Sequence, residues 1–64
     1  MIGKNIKSIR IKKKLTQKQL AEKVGVSVKT ISHWENGYSA PNISGITKLK
    51  KSLGVSYDEL FEKK

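Results

Sequence analysis

"TQKQLAEKVGVSVKTISHWENG", residues 16–37, holds two helically spaced apolar runs separated by three residues. Thr16, with Gln19 three positions later, is a capping box that starts a helix over 17–24, with Leu20, Ala21 and Val24 on one face. Gly25 stops it, because a residue without a Cβ enters the left-handed conformation of a helix end at no steric cost. Ser27 is an N-cap for a helix over 28–36 whose inward residues, Ile31 and Trp34, lie three apart, and Gly37 closes that helix.

Working outward, Ile2, Ile6 and Ile9 recur at helical spacing with Arg10 extending the same inner side, which predicts a first helix over 3–13, followed by Leu15 as a staple. Downstream, "YSAP" is loop and Asn42 caps a helix over 43–53, with Ile43, Ile46, Leu49 and Leu53 at helical spacing before Gly54. Ser56 with Glu59 is a second capping box, opening a last helix over 57–62 through Tyr57, Leu60 and Phe61, where Phe61 and Tyr57 either close the core and cover its edge or serve a partner. Nothing alternates as a strand would, so the expectation is one all-α domain of five helices over 1–64. "GVS" alone separates the second and third helices, with small Ala21 where they must approach. That is helix-turn-helix spacing, in which one helix presents the next outward.

A chain of 64 residues builds only a small core, and with no cysteine its stability has to come from packing, in keeping with a reducing compartment. One histidine and no cysteine speak against a zinc or iron site, and no cofactor is expected. No apolar run exceeds two residues, which argues against a membrane span or signal-peptide core and favours a cytoplasmic protein. The net charge is +9, and residues 1–18 hold seven bases (Lys4, Lys7, Arg10, Lys12, Lys13, Lys14 and Lys18) and no acid. Such a field concentrates polyanions, nucleic acid or anionic lipid, without choosing between them. Ile2, Ile6 and Ile9 are needed for the core, which makes membrane attachment by the first helix the weaker choice.

Val28, Lys29, Ser32 and His33 share one face of the third helix, turned away from Ile31 and Trp34. A cation in a first helical turn opposes the macrodipole at a cost of about 0.3–1 kcal/mol, a penalty that a docked anion reverses. Lys29 is thus placed to reach guanine O6 and N7 or a phosphate, and Val28 a thymine methyl. Ser32 and His33 offer hydrogen bonds to base edges, and Thr30 either to bases or to phosphate. Gln17 and Lys18 sit beside the free N–H groups that open the second helix, an arrangement suited to phosphate. Asn36 and Tyr38, just past the third helix, are candidates for further backbone contacts, with plain capping and loop-covering roles as the alternatives.

The 16–37 stretch resembles the helix-turn-helix of the phage-repressor or XRE family, to which the lambda repressor and Cro DNA-binding domains belong. The likeness rests on Gln17, Leu20, Ala21, Val24, Gly25, Val26, Ile31, Trp34, Glu35 and Gly37, and extends through "AP" and "LGVSYDELF". It implies a five-helix, lambda-repressor-like fold and a sequence-specific regulator of transcription, of the repressor kind, that reads the major groove with Val28, Lys29, Ser32 and His33. It implies that Gln17 and its helix start grip phosphate, that Asn36 and the loop hold the backbone, and that Arg10 pairs with Glu35 inside the domain. Three positions depart from the family pattern: Lys14 stands where glycine is frequent, Gly45 lies inside a helix at about 0.8–1 kcal/mol against alanine, and Lys50 replaces a small apolar residue.

A homodimer through the fourth and fifth helices is expected, on half-sites about 34–36 Å apart. The competing class is an antitoxin or accessory regulator whose main role is to bind a partner protein, through apolar groups such as Tyr57 and Phe61. Catalysis is set aside, since His33 and Glu35 are about 200° apart around their helix and cannot converge.

Overall fold

The computed structural model describes residues 2–61, and these form five helices with no strand among them: α1 (Ile2–Lys12), α2 (Gln17–Val24), α3 (Val28–Asn36), α4 (Ile43–Leu53) and α5 (Tyr57–Phe61). The bounds agree with the sequence expectation to within a residue; residue 62 of the expected last helix lies outside the described residues. None of the described helices is long and apolar enough to cross a membrane.

Local chemistry sets the ends of the helices. Thr16 Oγ1 accepts from the Gln19 N–H at 3.0 Å while Gln19 Oε1 accepts from the Thr16 N–H at 2.8 Å. Ser27 Oγ accepts from the Thr30 N–H at 3.1 Å, and Asn42 Oδ1 from the Gly45 N–H at 2.8 Å. Gly25, Gly37 and Gly54 end α2, α3 and α4 in the left-handed conformation. After α1 the same conformation falls on Lys14, at φ 59°, with its N–H bonded to the Ile11 carbonyl at 2.9 Å. A side-chain-bearing residue is strained there by about 1–2 kcal/mol.

The apolar stripes meet in one core of Ile6, Leu20, Ala21, Val24, Ile31, Trp34, Leu49, Leu53, Val55 and Leu60, with Ile2, Ile9, Leu15, Val26 and Ile46 packed against it. One expectation needs correction, and one alternative is decided. Ile43 is 83% exposed: by helical geometry it lies about 90° from the centre of the stripe formed by Ile46, Leu49 and Leu53. Phe61 does not close the core; it is half exposed, and Leu60 takes the interior position. Asn5 Nδ2, donating to the Leu60 carbonyl at 2.7 Å, fastens α5 to α1.

Gly45 has a packing reason. A Cβ built there would sit 3.0 Å from Pro41 Cβ and 3.2 Å from Trp34 Cη2, so the bare backbone makes room for the indole against α4. Gly3 does the same between α1 and α3, where a Cβ would collide with the Trp34 carbonyl oxygen.

A buried ion pair joins these helices. Arg10 Nε donates to Glu35 Oε2 at 2.7 Å and Nη2 to Oε1 at 3.2 Å, with the two side chains 11% and 1% exposed. Arg10 Nη1 also donates to the Leu15 carbonyl at 2.7 Å, fixing the link from α1 to α2. Glu35→Ala would leave the guanidinium uncompensated in the interior, and urea unfolding is expected to show a loss of about 3–5 kcal/mol. Lys14→Gly relieves backbone strain but adds unfolded-state freedom worth about 0.5–1 kcal/mol, so a net gain of about 1 kcal/mol is expected in the same measurement.

Candidate nucleic-acid interface

The short turn of Gly25, Val26 and Ser27 sets α3 against α2. Gly25 and Val26 both donate their N–H to the Ala21 carbonyl, at 2.8 and 3.0 Å, so the chain reverses within one turn of the end of α2. Ile31, Trp34 and Glu35 of α3 then face inward and are buried. At about 100° per residue, Val28, Ser32, Asn36, Lys29 and His33 span an arc of about 140° on the opposite side.

Within that arc the side chains differ in freedom. Val28 and Lys29 are exposed, and Lys29 has no ion-pair partner among the described residues. Ser32 and His33 are half buried. Ser32 Oγ accepts from Asn36 Nδ2 at 3.3 Å, one helical turn on. The His33 ring meets Tyr38 edge-on, with centroids 5.6 Å apart and planes at 75°, which steadies the imidazole against the first residue beyond Gly37. Thr30 is turned toward the cap: its hydroxyl lies 2.9 Å from that of Ser27.

At the start of α2, Lys18 is exposed and the N–H groups of Gln17 and Lys18 have no acceptor inside the helix. The Gln17 side chain is committed inward, its Nε2 donating to Glu35 Oε1 at 3.1 Å. Its main chain and the positive end of the helix are therefore what Gln17 offers an anion. One carboxylate on α3 thus ties down both the end of α1 and the start of α2.

Asn36, expected only to supply backbone contacts or a cap, is the last residue of α3 and occupies the middle of the exposed arc. The signal was available in its i+4 relation to Ser32. Lys4 and Lys7 were counted only as part of a basic segment. In the fold both are exposed and border a cleft of about 430 Å³ whose other edge is formed by Asn36 and Gly37 at the end of α3.

Similarity to known proteins agrees with this geometry. The model of a family described as "Helix-turn-helix" matches residues 6–60. The chain is 40% identical over 58 residues to the HTH-type transcriptional activator BcrR of Enterococcus faecalis, and 42% identical over 60 residues to the antitoxin PezA of Streptococcus pneumoniae serotype 4. These matches cover 91% and 94% of this chain but only 28% and 38% of those proteins, so the chain spans well under half of either relative. The crystal structure of the P22 c2 repressor in complex with a synthetic operator superposes with a TM-score of 0.90 at 37% identity, covering 97% of this chain and 94% of that one. Five helices in this order, a three-residue turn before α3 and a family match over most of the length lead to one assignment. The chain belongs to the helix-turn-helix family, in its phage-repressor-like (XRE) form.

Proposed function

We propose that the chain binds duplex DNA in a sequence-specific manner and regulates transcription, acting as a repressor by occupying its operator. One observation carries this reading: Lys29 is exposed and lacks an ion-pair partner in the first turn of α3, on a face clear of the core, where a cation is unfavourable until an anion approaches. With α3 in the major groove, Val28 and Lys29 meet base edges first, and Ser32 and His33 follow one turn later. The start of α2 (Gln17, Lys18) and the end of α3 (Asn36, Tyr38) hold phosphates on either side. Thr30 then serves the cap before it serves DNA. A cytoplasmic location follows from that ligand.

We assign self-association to the surface of α4 and α5. Ile43, Tyr57 and Phe61 are exposed there, at 83%, 46% and 50%. The Lys50 ammonium lies 4.5 Å from the centroid of the Tyr57 ring, and the Thr47 hydroxyl is 3.4 Å from the Tyr57 hydroxyl, so this stretch is ordered as well as apolar. The same patch favours the competing reading, that of an antitoxin-like regulator which holds a partner protein there.

Selection of binding sites from random duplexes tests both. A palindromic site is expected, on which Lys29→Ala costs about 1–3 kcal/mol and relaxes the choice at one base pair. Equal loss on selected and random duplexes would reduce Lys29 to a phosphate contact. Sedimentation of the chain with the selected duplex is expected to give two chains per site, with cooperativity lost in Phe61→Asp. Unchanged cooperativity in that variant would move the patch from self-association to a protein partner.

A further inference from the structure

We infer that Lys4 and Lys7 of α1 join Asn36 of α3 in holding one DNA backbone phosphate beside the α3 face; this rests on the DNA-binding reading above. The cleft of about 430 Å³ between α1 and α3 is lined by Gly3, Lys4, Lys7, Glu35, Asn36 and Gly37. It exists because Gly3 lets the start of α1 come hard against the end of α3 at the Trp34 carbonyl. Lys4 and Lys7 are three residues apart and so share one side of α1, with about 4.5 Å of rise between them. Both are exposed, and neither has a carboxylate partner among the described residues.

Among the described residues the one acid in the lining is Glu35, whose carboxylate is already matched by Arg10 and is 1% exposed. The charge left at the mouth is therefore that of two ammonium groups. Lys4 in the first turn of α1 opposes the helix dipole, the two cations oppose each other, and an anion in the cleft reverses both effects. Asn36 decides which anion. Its amide donates to Ser32 Oγ on the α3 face and also borders the cleft, leaving a second N–H for a ligand, so the cleft opens beside the surface assigned to DNA. A phosphate of the strand flanking the groove fits that position better than a separate acidic partner.

Dissociation constants of the 64-residue chain, of Lys4→Ala/Lys7→Ala and of Lys4→Arg/Lys7→Arg are measured on the selected duplex and on a scrambled one across a KCl series, with circular dichroism confirming that each variant folds. Each phosphate contact contributes about 0.9 to the slope of log K against log salt. The alanine pair is expected to lower that slope by about 0.9 per bound chain, to weaken both duplexes by the same factor, and to leave base preference intact, while the arginine pair restores the slope. A slope equal to wild type overturns the proposal even if the alanine pair loses an acidic protein partner instead. A changed base preference overturns it too, since the lysines would then be reading bases. Wild-type protein that binds neither duplex removes the DNA-binding reading, and this site with it.

Discussion

Glu35 is the charge on which the arrangement of α1, α2 and α3 depends. Its carboxylate accepts from Arg10 Nε and Nη2 and from Gln17 Nε2, while Arg10 also holds the Leu15 carbonyl. A core this small has little apolar area with which to fix the relative orientation of its helices, and apolar contact is non-directional in any case. Directed bonds to one buried acid supply the orientation instead. Burying the pair need not add stability over an apolar replacement, but leaving either partner alone is costly, so the pair works as a constraint on geometry.

That constraint reaches the surface assigned to DNA by short routes. Glu35 lies on α3 between Ser32 and Asn36 in sequence, buried where they are not, and through Gln17 it touches the first residue of α2. The exposed arc of α3 and the start of α2 are thus set relative to each other by side chains that need touch no ligand. The free energy of binding is then not consumed in bringing two mobile elements into register. Tyr38 against His33 and Asn36 against Ser32 continue this ordering onto the surface.

Much of the fold was legible in the sequence because its punctuation is chemical and local. Thr16 with Gln19, Ser27, Asn42, and Ser56 with Glu59 name the helix starts, and Gly25, Gly37 and Gly54 the stops. Periodicity alone misled where a helix end offers a residue no partner: Ile43 matches the spacing of its stripe yet starts α4 outside the core. The place of Glu35 was not readable from spacing, since a charged residue between Trp34 and Asn36 looks like surface; family resemblance alone led to its partner. The tie from Gln17 to Glu35, 18 positions apart, and the meeting of Lys4 and Lys7 with Asn36 are tertiary events with no local signal. Gly45 looked like a weakness of α4 until the Trp34 ring was seen lying against it.

The turn from Gly25 to Ser27 bears on how the chain tolerates changes in length. Both Gly25 and Val26 return their N–H groups to Ala21, and Ser27 at once becomes the cap of α3, so no residue in the turn is spare. One added residue would either unmake a cap or turn α3 by about 100°, carrying Lys29 off its face and Ile31 out of the interior. Beyond Tyr38 the connection to Asn42, exposed at Ser39 and Ala40, neither ends a helix nor starts one. Insertions and deletions should therefore accumulate after α3 and be purged before it.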